Sequence, residues 1–511
     1  MINNKKTVWL LCLNDFHAEI LESDYAPGSA KVVEAVRRFK ETHENTFVLF
    51  GGDNYKGDPI SESLEGSPVT QMMSLLETRA SALGNHEFDY GTRLIEEWQR
   101  EGKYAFLGAN VFYSDSGKAV DFAKKYIMLE AGGIRIAVIG LSLQEPLDTV
   151  DRPQEMHKIQ IRDGIAAAKE IISEIGNGGG QEKKPAAIVA LTHFGLKYAA
   201  DGQTVVGDEV IRLCKEVPQL DGVFTAHFHR FMCLDIHGIP VVQGGSQGRG
   251  IAVLRLDFAG NRLDSVTPSV ISLTDIPDLT PDAAMEKIVE QSRKKAMEKL
   301  GVVVAHIESA IEHRSDKTGE LDPEGSPLSA LAIDVMLEAS GCEIAMLYAG
   351  RMGRGLPAGQ ITLHQLYQAL IFENGIVTMD LPGHAILSNV EKGICTLKGE
   401  SVSPLAFGGL MILADYSRPY GNRVVRITQM DGTPLEPDKY YTVAIDNYLV
   451  ENPMGFDFTA GINVVYTTKS VRGCMVDRIR KTGTIPAEFV KTIHIENKVN
   501  YYRLEGEGFQ P

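Results

Sequence analysis

Cysteine is scarce in this 511-residue chain: Cys12, Cys214, Cys233, Cys342, Cys395 and Cys474 lie far apart and form no CxxC pair. That spacing excludes a disulfide-framework protein and a cysteine-ligated zinc knot. Basic excess is also missing. The formal net charge is −16, which argues against a broad basic face for polymeric nucleic acid. No apolar run approaches the ~20 residues of a membrane-spanning helix. The segment Val8–Leu13, near the start, is too short for the apolar core of a signal sequence and is interrupted by Asn14 and Asp15. It reads as a strand, and the expectation is a cytoplasmic protein with no membrane partner. Internal repeats and low-complexity tracts are absent too. What remains is an ordinary globular balance of 44% hydrophobic and 23% charged residues, enough chain for two or three domains.

Residues 1–275 alternate short apolar runs with amphipathic ones. Val8–Leu13, Thr46–Phe50, Arg135–Ile139, Ala186–Leu191 and Gly222–Phe224 read as buried strands. Lys31–Lys40, Val69–Glu77, Arg93–Glu101 and Asp163–Ile175 read as the helices between them, and Asn177–Gln181 as a surface turn. Pro277 and Pro281 mark a break, after which Ala283–Leu300 reads as a charged helix with one narrow apolar stripe. The expected organisation is a catalytic domain over 1–275, a connector over 276–301 and a mixed α+β domain over 302–511.

Polar blocks in the first half carry the chemistry. They are Asp15-Phe16-His17, Gly52-Asp53-Asn54, Gly84-Asn85-His86-Glu87-Phe88-Asp89, Thr192-His193 and His227-Phe228-His229. Asp15 and His17 are two apart, so on an extended chain they point to one side and can share an ion. Asp53, in a turn, has two oxygens and could bridge two ions. Asn85 offers a neutral carbonyl oxygen, and His193, His227 and His229 offer imidazole nitrogens. Mixed nitrogen and oxygen ligation suits Zn, Mn, Fe or Co better than Ca or Mg. Two divalent ions less two aspartates leave a positive site that attracts a phosphoryl dianion, and a water between such ions deprotonates near neutral pH to supply a nucleophile. Most of these blocks alone are more often structural, Gly84-Asn85-His86-Glu87 after a strand being the exception; the ordered set is what points to a two-metal phosphohydrolase. His43, His157, His237, His306, His364 and His494 belong to no such set.

In the second half, Arg351 and Arg354 sit in a glycine-rich turn after an apolar strand, where arginines can clasp phosphate, and Arg314 lies upstream. Phe372-Glu373-Asn374 and Tyr448 offer aromatic faces and an amide for a planar group.

These blocks resemble those of the calcineurin-like metallophosphoesterases. Gly-Asn-His-Glu-Phe-Asp, followed by Leu107-Gly108-Ala109-Asn110, is similar to the 5′-nucleotidase branch, which includes UDP-sugar hydrolases and 2′,3′-cyclic-nucleotide phosphodiesterases. The resemblance runs over nearly the whole chain. It implies a four-layer α/β sandwich joined by a helix to an α+β substrate-binding domain. It also implies one metal held by Asp15, His17, Asp53 and His229, and a second by Asp53, Asn85, His193 and His227. His86, supported by Asp89, would stabilise the transition state. The implied reaction is hydrolysis of a nucleotide monoester by metal-bound hydroxide, the substrate clamped between domains. Departures from the pattern are Ala226 before His227, Tyr348 where asparagine is usual, arginines displaced to 351 and 354, and Met454 where a ribose-binding carboxylate is usual. They keep open a cyclic phosphodiesterase, a nucleotide-sugar hydrolase or a phosphatase for a non-nucleotide ester. A ligand sensor retaining the fold is the non-enzymatic alternative. Oligomeric state is not legible.

Overall fold

The computed structural model describes residues 5–23, 26–144, 158–176, 184–198, 204–274, 276, 278–313, 322–371, 374–394, 405–419, 421–451, 455–485 and 489–497. The chain divides into two compact units, Met1–Ala296 and Met297–Pro511. The helix Ala283–Leu300 runs across that division.

The first unit contains two six-stranded sheets. In one, the strands Lys5–Leu13, Thr46–Phe50, Ala80–Ala82 and Ala105–Leu107 lie parallel in that order, and Gly250–Ala259 and Arg262–Ser272 extend the other edge antiparallel. In the other, Ile134–Leu141, Ala187–Gly195, Gly222–Ala226 and Ile239–Gly244 are parallel, with antiparallel strands at both edges. The sheets pack face to face: Leu10, Leu49, Leu254 and Phe258 of the first share one core with Ile136, Val138, Val189 and Leu191 of the second. Full burial of each such side chain stabilises the fold by roughly 1.5–3 kcal/mol. The outer face of the second sheet is closed by the helices Gly164–Gly176 and Asp208–Glu216, through Ile165, Ile171 and Leu213. Val32, Val33 and Val36 of the helix Gly28–Thr42 are buried likewise. Helix, sheet, sheet, helix is the expected four-layer α/β arrangement. The central strands are apolar on both faces, which is why they read as unbroken runs in the sequence.

The anticipated strands and helices of this unit are present, Thr46–Phe50 with the same bounds and the others with ends shifted by up to four residues. The hairpin Gly250–Ala259 with Arg262–Ser272 and the edge strands Tyr126–Ala131 and Phe231–Ile236 were not anticipated, because polar residues interrupt them on the exposed side. The turn expected at Asn177–Gln181 lies outside the described residues.

The second unit is mixed α+β. Its five-stranded sheet places the strand Ile344–Tyr348 beside Tyr440–Asp446, and Tyr440–Asp446 beside Gly375–Pro382. The core joins Met346, Val377, Ile386, Phe407, Tyr441 and Val443. The helix Pro327–Ser340 starts at a Ser326 capping box and stops at Gly341, which takes φ 70°.

Candidate metal centre

Every candidate ligand of the first unit sits at or near the C-terminal end of a parallel strand. Asp15 and His17 follow Lys5–Leu13, Asp53 follows Thr46–Phe50, Asn85 follows Ala80–Ala82, and His227 and His229 follow Gly222–Ala226. His193 lies within Ala187–Gly195, where the pairing register slips between Phe224 and Ala226. Two clusters result, Asp15–His17–His229 and Asp53–His193–His227, the ligand atoms within each lying within 4.8 Å of one another.

The local backbone differs from the extended geometry expected of Asp15 and His17. Both adopt left-handed φ, 50° and 49°, as do Asp53 at 54°, His227 at 69° and His229 at 57°. Non-glycine residues pay for this conformation and it concentrates at functional sites. His227 and His229, two apart, fall into different clusters, whereas Asp15 and His17 share one. Close approach is needed as well. At Gly84 a Cβ would meet Asp53 Oδ1 at 2.2 Å, so only glycine lets the aspartate loop and the asparagine loop touch.

Hydrogen bonds fix the orientation of the ligands. His17 Nδ1 donates to the Lys56 carbonyl at 3.0 Å and His193 Nδ1 to the Gly51 carbonyl at 2.8 Å. Each ring thereby turns Nε2 inward as a lone pair, the arrangement metal-binding histidines use. His17 Nε2 faces His229 Nε2 at 3.0 Å, and His229 Nε2 is 3.4 Å from Asp15 Oδ1. His193 Nε2 lies 3.1 Å from Asp53 Oδ2, is fully buried, and has no hydrogen-bond partner among the described residues. Asn85 Oδ1 is likewise buried without a partner. Converging lone pairs and carboxylate oxygens with orphaned acceptors are what a divalent cation satisfies, and the residues fit two such ions.

Electrostatics agree. Burial, with the neighbouring His229, pulls His17 down to about 3, so it stays neutral and able to ligate. Burial also acts to lower His193, but the Asp53 and Asp15 carboxylates outweigh it and hold the ring up at about 10. A proton there takes the place a metal would take. Burial acts to raise Asp53, yet His193 and His86 keep it well below the usual carboxylate range.

His86 opens a short 3₁₀ turn, His86–Tyr90, and its Nδ1 lies 2.8 Å from Asp89 Oδ2. Its ring centre is 5.7 Å from that of His17, and its backbone N–H donates to Asp53 Oδ1 at 2.9 Å. The ring belongs to neither ligand cluster, yet stands beside Asp53 and the candidate ligand His17.

Two positioning residues escaped the sequence reading. Glu87 is fully buried and accepts from the N–H groups of Asp53, Asn54 and Gly84 at 2.7–2.8 Å, tying the two loops together. Burial and the nearby Asp53 push its carboxyl up to about 7. Asn14 bonds Asp15 Oδ2 and the Gly245 carbonyl, both at 2.7 Å, and accepts from the Gly244 N–H at 2.9 Å. Position was the available signal: each adjoins a ligand block.

In the second unit, Arg314 and Phe372 lie outside the described residues, as do Met454 and the Arg351 side chain. Arg354 is exposed. Asn374 Nδ2 donates to Asp446 Oδ1 at 3.4 Å, and Asp446 also accepts from the Tyr348 N–H at 2.8 Å. Tyr448 stacks on Tyr348 with ring centres 6.1 Å apart and planes 27° apart. The structure thus brings Asn374, Tyr348 and Tyr448 around buried Asp446, a residue the sequence did not single out. Buried Arg472 was missed as well; it donates to the Ile371 carbonyl at 3.1 Å.

Two sandwiched sheets with two ligand clusters at their strand ends define a dinuclear metallophosphoesterase site. Comparison with known proteins agrees and specifies it. Residues 8–231 match the family described as calcineurin-like phosphoesterase. Residues 303–461 match the 5′-nucleotidase C-terminal domain. Protein UshA of Yersinia enterocolitica is 22% identical over 496 residues, covering 88% of this chain and 86% of that protein. Endonuclease YhcR of Bacillus subtilis is 23% identical over 472 residues; the match covers 86% of this chain but only 37% of YhcR. The crystal structure of a 5′-nucleotidase precursor from Thermus thermophilus superposes with a TM-score of 0.67 at 24% identity, covering 96% of this chain and 100% of that one. The chain therefore joins a calcineurin-like phosphoesterase domain to a 5′-nucleotidase C-terminal domain. It is a 5′-nucleotidase-like metallophosphoesterase, of a class that hydrolyses phosphate esters with two divalent metal ions.

Proposed function

We propose that this protein hydrolyses nucleotide phosphate monoesters. The observation that carries the reading is the pair of converging ligand clusters, with the ring nitrogens of His17 and His193 turned inward by backbone carbonyls. Asp15, His17, Asp53 and His229 would hold one ion, and Asp53, Asn85, His193 and His227 the other; Zn, Mn, Fe or Co suits this donor set. Bound ions supply Lewis acidity toward the phosphoryl oxygens and lower the pKa of a coordinated water.

The chain's own residues do the rest. Asp53, grouped with His193 and His227, would be shared with the other cluster, and Glu87 clamps its backbone. His86 stands where charge develops on the transferring phosphoryl group or the leaving oxygen. Asp89 holds its Nδ1 and so orients Nε2 toward the reacting atoms. In the second unit, Arg354 and Arg351 supply cations for phosphate, with Arg314 as a further candidate. Tyr448, Phe372 and Asn374 read a planar base. The match over residues 303–461 supports nucleotides as the substrate class.

One feature favours a second reading, a phosphatase or phosphodiesterase for another ester. Tyr348 occupies the position where asparagine is usual and covers Tyr448 with its own ring. A panel of AMP, 2′,3′-cyclic AMP, UDP-glucose and a simple sugar phosphate, assayed with Mn and with Zn, separates the two. Preference for AMP supports the nucleotidase reading. Faster turnover of a non-nucleotide ester overturns it, and failure on even an activated aryl phosphate would return the chain to a non-catalytic sensor.

A further inference from the structure

The first unit holds a second cavity, away from the metal ligands. It has a volume of about 660 Å³ and is lined by Ser74, Thr78, Arg79, Lys103 and Lys124 among others. Thr78 and Arg79 immediately precede the strand Ala80–Ala82, and Lys103 and Tyr104 precede Ala105–Leu107. The metal loop Gly84-Asn85-His86 leaves the first of these strands at its other end. The cavity therefore sits at the N-terminal ends of the parallel strands, and the metal centre at their C-terminal ends.

Its charge runs against that of the chain. In a protein of net charge −16, Arg79, Lys103 and Lys124 gather here without an ion pair or side-chain hydrogen bond among the described residues. The one lining carboxylate, Glu77, is already held by Lys40 at 2.9 Å. A helix end could account for one of these cations, since Lys103 caps the helix Gly91–Gly102 and faces its negative pole. It does not account for three, nor for Thr78. That residue lines the cavity, is 3% exposed, and its hydroxyl has no hydrogen-bond partner among the described residues. Ile127 and Met128 of the neighbouring strand add an apolar wall.

We infer that this cavity binds a phosphate-bearing anion, independently of the metal centre. The Arg79 guanidinium lies over the Phe47 ring, 5.8 Å from its centre, with its N–H groups making no hydrogen bond among the described residues; such guanidinium and ammonium groups recognise a phosphoryl dianion by charge-assisted hydrogen bonds, and the Thr78 hydroxyl is a further donor. The volume admits either inorganic phosphate or a whole nucleoside monophosphate. The inference does not rest on the catalytic reading and survives if the substrate proves to be another ester.

The test is hydrogen exchange on the full metal-loaded chain, following peptides over 74–79 and 102–105, with inorganic phosphate, AMP (supplied as a phosphonate analogue that the metal centre cannot hydrolyse) or adenosine added. Phosphate or AMP should slow exchange in both segments. The variant Arg79→Gln/Lys103→Asn/Lys124→Gln should need at least about tenfold more anion for the same protection, while protection of the loops at Asp53 and Asn85 is unchanged. Thr78→Val, nearly isosteric, should shift the same dependence by a smaller factor. Protection by phosphate alone identifies the free ion as sufficient. Protection by AMP but not phosphate identifies the nucleotide. Equal protection by adenosine, protection that survives the triple substitution, or none with either anion overturns the inference.

Discussion

The two units hold their functional side chains in opposite ways. In the first, the ligand side chains sit on short loops locked at both ends. Asp15, Asp53 and His193 are almost wholly buried, and backbone carbonyls set the rings of His17 and His193. In the second, Arg354 is exposed, the aromatic rings of Tyr348 and Tyr448 cover each other, and Asn374 is drawn to Asp446. Reaction chemistry demands ligand positions good to fractions of an ångström, so its residues are caged. Recognition of an organic group tolerates substitution, so that half carries most of the departures from the family pattern and the metal half only Ala226 before His227.

The largest expected effect breaks the cage. Asp53→Asn removes a charge from the carboxylate between the clusters, and turnover should fall on the order of 10³-fold with loss of bound metal. Metal analysis alongside kinetics checks it; two tightly held ions at full turnover would refute a shared ligand. Next, His86→Asn should lower turnover by about 10²-fold with metal content unchanged, and loss of metal in parallel would make His86 a ligand. Third, Tyr448→Ala tests the looser half. It should raise KM for a nucleotide several-fold, about 1–2 kcal/mol of lost stacking, and leave an aryl phosphate untouched. An equal effect on both substrates would mean that this ring does not read a base.

The smallest effect concerns stability near the cage. Asp58 caps the helix Pro59–Ser63, and burial pushes its carboxyl from the ordinary 3.8 up to about 7. A folded-state value above the unfolded one favours the protonated form. Its stabilising contribution is full below pH 3.8 and is lost as pH rises through 7. Asp58→Asn keeps the cap acceptor and cannot ionise. It should raise the thermal midpoint at pH 7.5 by roughly 5 °C and leave that at pH 4 nearly unchanged.

The residues that gather into the two clusters were legible because each block is local: a strand end and two or three residues give candidate ligand type and order without knowledge of the fold. His86 with Asp89 was legible for the same reason, three residues apart on one turn. What holds them was not. Glu87 reaches Asp53 across 34 positions, and Asn14 reaches Gly245 across 231. Asp446 and Asn374, 72 apart, meet only because their strands pair. The alternating two-residue spacing of Asp15 and His17 suggested an extended chain, and left-handed backbone stood in its place. Buried parallel strands announced themselves as unbroken apolar runs, whereas half-exposed edge strands such as Arg262–Ser272 did not.

That left-handed backbone sets function against robustness. Asp15, His17, Ala18, Asp53, His227 and His229 all occupy it, each at roughly 1–2 kcal/mol. Their sum is comparable with the ~5–15 kcal/mol net stability of a typical domain. Glycine would relieve each position. At Ala18, which is no ligand, that relief is free of chemical cost. At the other five it would remove a candidate ligand, and at Asp15, His17 and Asp53 also a hydrogen bond that holds the loops together, which offsets the relief. An engineer screening this chain for heat resistance would find the relief at Ala18, where glycine eases the backbone and touches no candidate ligand.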